Sequence, residues 1–313
     1  MSGRRWYESL LEDNGLVEFR ALPSGQHYWL LREQGWNGLQ AAIHWCNRFR
    51  GPKGGLALGP DFANEDDRNA GGIGSGHFAQ EFSAQNLYTS INRPFSDLTS
   101  QASRPFRNVD IETVTRIPFD FDPVCKAGAP SSQRELEATR MICGRLVSTL
   151  ENMGWPMPAL GCSGNGTHAI YRANLPNSAE TQEQLRMIYR YLQIAYSTPD
   201  VRFDPSVCNA GRILRAYGSV NRKGRARRGR PYRRATIEMP TVYDLVEQRS
   251  IDALANMAAR DLEKRQQDSS FSSATRKARS KSAGDYSSLD IVGLFRRIGL
   301  YLGPLIRYKA PMQ

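Results

Sequence analysis

Asp120 and Asp122 stand one residue apart at the end of an apolar run, Ile117-Pro118-Phe119-Asp120-Phe121-Asp122-Pro123. In a strand, residues i and i+2 share a face, so the two carboxylates project side by side. Such neighbours repel, and each raises the other's pKa unless a cation sits with them. Divalent ions answer that repulsion, and oxygen ligands suit Mg2+ or Mn2+, which are commonly shared with the phosphates of a substrate. A solvated Asp-x-Asp turn is the plain alternative, and the pair alone does not decide between the two.

Two more clusters follow. Gly161-Cys162-Ser163-Gly164-Asn165-Gly166-Thr167-His168 places glycines at 161, 164 and 166 around small polar residues. This composition makes a tight turn with N–H and O–H groups suited to phosphate oxygens, and His168 opens the apolar run Ala169-Ile170-Tyr171 beside it. An ordinary hairpin with a hydrogen-bonded histidine reads equally well from this cluster in isolation. Asp204 lies in Val201-Arg202-Phe203-Asp204-Pro205, and the chain then runs from Gly211 to Gly224 through Arg212, Arg215, Tyr217, Gly218, Asn221, Arg222 and Lys223.

In this order the clusters resemble the archaeo-eukaryotic primase superfamily, in particular its primase-polymerase branch found in plasmids, phages and other mobile elements. Asp120 and Asp122 match the family's Asp-x-Asp or Asp-x-Glu strand, and Ser163 and His168 its Ser-Gly-x-Gly-x-His motif. Asp204 matches the lone aspartate, and Arg215, Gly218, Asn221 and Lys223 the Arg-rich turn that ends in Asn-x-Lys. The likeness runs over roughly residues 15 to 240, with Val17–Ala21 as the opening strand and Leu87–Pro94 as the strand before the catalytic one. Asp122 departs mildly, standing where several relatives carry Glu.

The resemblance implies an α/β (α+β) fold of two lobes, an N-terminal unit and a sheet like that of an RNA-recognition motif, with a metal site in the cleft. It implies that Asp120, Asp122 and Asp204 hold two Mg2+ or Mn2+ ions. Ser163, Gly164, Gly166, His168, Arg215 and Lys223 would bind the triphosphate of an NTP or dNTP. The implied activity is a DNA primase or DNA polymerase acting on a single-stranded template and primer. A metal-dependent nuclease or nicking protein uses similar residues, and a non-catalytic single-strand binder would use only the basic stretch described next.

The formal net charge of the 313 residues is +11, which favours a polyanionic partner. Between Arg202 and Arg234 stand eleven Arg or Lys against one acid, Asp204. Arg222, Arg225, Arg227, Arg228, Arg230 and Arg233 fall in a glycine-punctuated segment too charged for a core, and are expected on a mobile loop that contacts nucleic-acid phosphates. A solvated tail is the bland reading of the same run. Tyr217 and Tyr232 are candidates for stacking on bases, or ordinary buried tyrosines. Five cysteines without Cys-x-x-Cys spacing argue for reduced thiols in the cytoplasm and against a zinc knuckle. Cys125 and Cys162 read as bystanders. Neither a secretory signal nor a membrane span is expected.

Positioning these residues requires alternating strands and helices. Ala42, Trp45, Cys46 and Phe49 give 39–49 a helical spacing, and 51–76 reads as a long glycine-rich loop. Helices are expected over 133–153, started by Ser131-Ser132, and over 179–196. The expected organisation is a catalytic domain over 1–240, a helical extension over 241–265, a basic Ser-rich linker over 266–288, and at 289–313 a docking segment or the start of a further module such as a helicase. No Gly-x-x-x-x-Gly-Lys-Ser/Thr loop occurs, so no ATP-driven motor is encoded in these residues.

Overall fold

A computed structural model describes residues 2–22, 27–32, 50–51, 54–55, 86–100, 104–125 and 128–281. The expected helix over 39–49, most of the expected loop over 51–76 and the segment 289–313 lie outside the described residues. The chain divides into two compact units, 1–261 and 262–313.

Among the described residues, the first unit holds a six-stranded sheet, a four-stranded sheet and two two-stranded pairs. Helix α1 (Ser2–Asn14) leads into β1 (Leu16–Leu22) and β2 (His27–Leu31), followed by the short pair β3 (Arg50–Gly51) and β4 (Gly54–Gly55) and then by β5 (Asn86–Ser90) and β6 (Arg93–Pro94). The catalytic candidates begin on β7 (Ile111–Pro123). After it come α2 (Gln133–Asn152), β8 (Ala159–Cys162), β9 (Thr167–Pro176), α3 (Ala179–Tyr196) and β10 (Val201–Phe203). The remainder is β11 (Ile213–Arg215), β12 (Val220–Asn221), β13 (Arg233–Arg234), β14 (Thr236–Glu238) and α4 (Gln248–Lys281).

The larger sheet has the order β10-β7-β9-β8-β14, with β6 also on β7, and all its pairings are antiparallel. Within it, β7-α2-β8-β9-α3-β10 is a split βαβ unit of spatial order 4-1-3-2, the arrangement of an RNA-recognition sheet. The smaller sheet, β11-β5-β1-β2, belongs to the N-terminal lobe, closed by β11 from late in the chain. The fold is therefore mixed α/β with two lobes, as the sequence motifs implied.

Local chemistry explains the elements that carry the site. Ser132 caps α2 by accepting from the Glu135 N–H, and the Glu135 carboxylate accepts from the Ser132 N–H, a reciprocal capping box. Leu136, Thr139, Cys143, Leu146, Val147 and Leu150 then recur at three- and four-residue spacing on the buried face. Ser178 caps α3 in the same manner through the Thr181 N–H, and Pro199 follows its end. Both helices cover one face of the larger sheet. There Phe119 touches the rings of Trp155, Tyr171, Tyr189 and Phe203 at 5.4–6.0 Å between centroids. Truncating such a fully buried aromatic costs about 3–5 kcal/mol, so this cluster fixes how β7 lies on its helices.

A second core joins the lobes: Trp6, Tyr7, Val17, Phe19 and Leu87 pack with Ala159, Ile170, Tyr217 and Ile237. Helix α4 begins at Gln248, later than the helical extension expected over 241–265, and its first turns put Ile251, Leu254 and Ala255 into the helix-covered core. It also runs on to Lys281, through much of the expected linker. Ala, Arg, Lys and Gln there are good helix formers, so low apolar content removed the amphipathic signal without removing helix propensity.

Candidate metal centre

Strand parity and register build the site. On β7, Phe119 and Phe121 enter the helix-covered core, so Asp120 and Asp122 face the other way. The register sets Arg202 of β10 opposite Asp122, His168 of β9 opposite Asp120, and Gly161 of β8 opposite His168. Asp204 follows β10. Its N–H donates to the Asp120 carbonyl at 2.9 Å, and its carboxylate caps a short 3-10 turn by accepting from the Ser206 N–H at 2.9 Å. As a result, oxygens of Asp120, Asp122 and Asp204 lie within 4.8 Å of one another.

Each carboxylate has a basic side chain near it. His168 Nε2 is 3.4 Å from Asp120 Oδ1, Arg202 is 3.4 Å from Asp122 Oδ2, and Arg212 is 3.6 Å from Asp204 Oδ2. Burial pushes the Asp120 carboxyl up, but His168, Arg212 and Lys223 outweigh it and hold the group below its ordinary value. Asp122 is pushed up, first by burial and then by the charge on Asp120. Asp120 Oδ1 is buried without a hydrogen-bond partner, the His168 approach being an ion-pair distance and not a well-directed hydrogen bond. A crowded set of hard oxygens with one buried atom unsatisfied fits a divalent, oxygen-ligated ion such as Mg2+ or Mn2+.

Beside the carboxylates a cleft of about 340 Å³ is lined by Asp122, Cys125, Asn165, Arg202, Lys223 and Gly224, among others. Asn221 braces this end. Its side-chain amide donates to the Ser163 carbonyl at 2.8 Å, and its Oδ1 accepts from the Lys223 N–H at 3.0 Å. Ser163 Oγ accepts from the Gly166 N–H at 2.9 Å, so this hydroxyl shapes its own turn. Gly164, at φ +89°, makes that turn possible, and Gly166 lets it press on β7. The close approach that the glycines permit is thus to the strand that carries the aspartates.

The remaining candidates fall into different settings. Arg215 is buried on the smaller sheet, where it donates to Asn86 Oδ1 and the Tyr88 hydroxyl and lies over the Tyr88 ring at 4.4 Å. Arg222 lies over the Tyr232 ring at 5.7 Å. Arg230 donates to both carboxylate oxygens of Glu135 at 2.6 Å and to the Pro130 carbonyl, and Arg233 donates to the Ser131 carbonyl. Arg225, Arg227 and Arg228 are exposed, and their side chains have no partner among the described residues. The segment is a pinned turn and not a free loop: the Arg225 N–H donates to the Gly128 carbonyl, and Arg227 and Arg230 exchange backbone hydrogen bonds.

Three features escaped sequence reasoning. Arg202 and Arg212 were not singled out, although Arg202 stands two residues before Asp204, which follows its strand. Tyr217 follows the buried reading, and what was not foreseen is its partner: its hydroxyl lies 2.7 Å from His168 Nδ1. Glu135, to which sequence reasoning gave no role, holds Arg230. The four described cysteines are unpaired, and Cys143 is buried, its thiol pushed up to about 12. No helix among the described residues is long and apolar enough to cross a membrane.

Neither a protein-family model nor a curated protein matches the sequence. Among solved structures, the chain is similar to the primase RepB′, at 13% identity and a TM-score of 0.40, over 95% of this chain and 76% of that one. It is similar to the AEP domain of the cyanophage S-2L primase-polymerase, at 13% identity and a TM-score of 0.40, over 81% of this chain and 96% of that one. It is also similar to the polymerase domain of Mycobacterium tuberculosis ligase D in complex with DNA, at 15% identity and a TM-score of 0.36, over 82% and 88%. The reading of the site rests on its own geometry.

Proposed function

We propose that this chain is a template-directed nucleotidyltransferase, a DNA primase or DNA polymerase that starts strands, extends them, or does both on single-stranded DNA. The observation that carries the proposal is the convergence of Asp120, Asp122 and Asp204 within 4.8 Å beside a cleft lined by Lys223 and Arg202. Carboxylates alone suit many hydrolases. Cations that line a cleft together with a carboxylate suit a polyphosphate substrate.

In this reading the three aspartates hold two Mg2+ or Mn2+ ions, which when bound activate the primer 3′-hydroxyl and offset charge on the triphosphate. Lys223 supplies a point charge from the lining of the cleft. His168 presents Nε2 beside Asp120, where it donates to a phosphate oxygen. The turn from Ser163 through Gly166 sets the position of His168 at the start of β9. Arg225, Arg227 and Arg228 contact the template or primer backbone from a turn that springs from the cleft residue Gly224. By the family resemblance, the work belongs to replication of a phage, plasmid or other mobile element in the cytoplasm, with a helicase module as a partner.

Incorporation of labelled NTPs and dNTPs on single-stranded DNA, with Mg2+ or Mn2+ and with or without a primer, tests the proposal. Product without primer establishes a primase, and product only with primer a polymerase. Shortened template with no product overturns both in favour of the nuclease.

A further inference from the structure

His168 is gripped on its far side. Its Nδ1 lies 2.7 Å from the Tyr217 hydroxyl, and its Nε2 faces Asp120 at 3.4 Å. Tyr217 itself is held from several directions: its ring meets the edge of Trp6 at 5.7 Å, and its carbonyl accepts from the Tyr7 hydroxyl at 3.1 Å. Access to the imidazole depends on Gly161, which faces His168 across β8 and β9. A Cβ at 161 would stand 2.2 Å from the Tyr217 hydroxyl oxygen, so only glycine leaves room for this contact. Three separate features of the chain, an aromatic α1, a bare β8 and a buried phenol, serve one hydrogen bond.

We propose that Tyr217 is a positioning residue that holds His168 as the Nε2–H tautomer with that hydrogen aimed at the metal centre and cleft; this rests on the nucleotidyltransferase reading. A buried phenol keeps its proton, and burial does push Tyr217 well above its ordinary value. In this proposal the O–H donates to Nδ1 of the neutral imidazole, Nδ1 carries the lone pair, and the single ring hydrogen sits on Nε2. His168 can then donate to a phosphate oxygen without turning its ring. Without the phenol, either ring nitrogen can carry the hydrogen, and only a fraction of molecules offers a donor to the substrate.

Tyr217→Phe removes the hydroxyl and keeps the ring. Gly161→Ala keeps the hydroxyl and drives it off the imidazole, which covers the case in which the first variant does not fold. The chain has four histidines, so imidazole nitrogen NMR spectra of the full chain are simple, and His168→Gln identifies the signal. The wild type should show a single Nε2–H tautomer at His168 and each variant a mixture. In primer extension, KM for the nucleotide should rise about tenfold with kcat within about twofold, the signature of lost ground-state binding.

Unchanged His168 signals together with an unchanged KM in both variants would overturn the proposal. So would equal losses in kcat and kcat/KM accompanied by a lowered melting temperature, which would mark a purely structural phenol. If the wild type incorporates no nucleotide while both variants still mix the tautomers, the hold of Tyr217 on His168 stands and the nucleotidyltransferase reading fails.

Discussion

Gly166→Ala probes whether the turn between β8 and β9 sets the position of the carboxylates. A Cβ at 166 would stand 2.5 Å from the Phe121 carbonyl oxygen and 3.0 Å from Asp122 Oδ1. Ordinary contact begins near 3.4 Å, so about 0.9 Å must be found against the Phe121 carbonyl. The backbone at 166 lies outside the left-handed region, so the whole effect is steric. Phe121 is locked among Phe119 and Phe203, which leaves the turn, the 121–122 peptide, or both to yield. Every such adjustment changes the spacing between Asp122 and the turn that leads to His168. A displacement near 1 Å costs about 100-fold in a reaction that needs aligned groups, about 2.7 kcal/mol in the barrier. The assay is kcat/KM for single-nucleotide extension on primed single-stranded DNA, read beside DNA affinity, which should stay within about twofold. Gly144→Ala is the control: it is an exposed position in α2 with nothing within 4 Å of an added Cβ. It should stabilise the fold by about 0.5–1 kcal/mol through helix propensity and leave activity alone. A Gly166→Ala protein with kcat/KM within about threefold of wild type would refute the idea that this contact spaces the site.

Asp120→Ala combined with Asp122→Ala should abolish incorporation and leave DNA affinity largely intact in a gel-shift titration, because in the proposed function these residues hold metal and not template. Converting Arg225, Arg227 and Arg228 to Gln should do the reverse, and should lower the slope of log affinity against log salt on single-stranded DNA by about 2, as three phosphate contacts require. Asp13 receives Arg116, which is fully buried, and Arg172, each at 2.6 Å. Burial pushes Asp13 up, but Arg172 and Arg116 outweigh it, so its folded pKa lies below the ordinary carboxylate value. Its stabilising contribution is complete above that ordinary value and is lost as pH falls through the folded one. Asp13→Asn should therefore cost roughly 3 kcal/mol in urea unfolding at pH 7, the scale for stripping a buried ion pair of one partner, and progressively less in acid. A gap that stayed constant with pH would mean that Asp13 acts only by shape.

What could be read from sequence was local. Period-2 alternation sufficed to put Asp120 and Asp122 on one face and Phe119 and Phe121 on the other. The polar cap Ser131-Ser132 sufficed to start α2. What could not be read was pairing across the chain: His168 and Tyr217 are 49 residues apart, Glu135 and Arg230 95 apart. Composition marked Tyr217 only as an aromatic beside basic residues, which suits a stacking platform as well as a core. Likewise a count of arginines does not distinguish a cation with a distant carboxylate from one without. Arg202 was legible in principle, since parity places it with Asp204, but its neighbour Asp122 became evident only from the β10–β7 register.

Glu135 shows why that distant pairing bears on function. It closes the capping box of α2, and α2 packs on the sheet face behind the aspartates. The same carboxylate takes Arg230 in a two-pronged contact, a geometry that fixes direction as well as distance. Arg233 adds a bond to Ser131 one residue before the cap, and the Arg225 N–H adds another to Gly128. The turn that displays Arg225, Arg227 and Arg228 is therefore anchored at both ends to the segment that enters α2 and, through α2, to β7. For a polymerase this matters more than the added charge. Phosphates gripped at a set distance from Asp120 and Asp122 present a strand end to the metal centre in register, whereas the same arginines on a free loop would raise affinity without alignment. In the proposed function Arg230 and Arg233 would thus serve nucleic-acid binding indirectly, by holding Arg225, Arg227 and Arg228 in place.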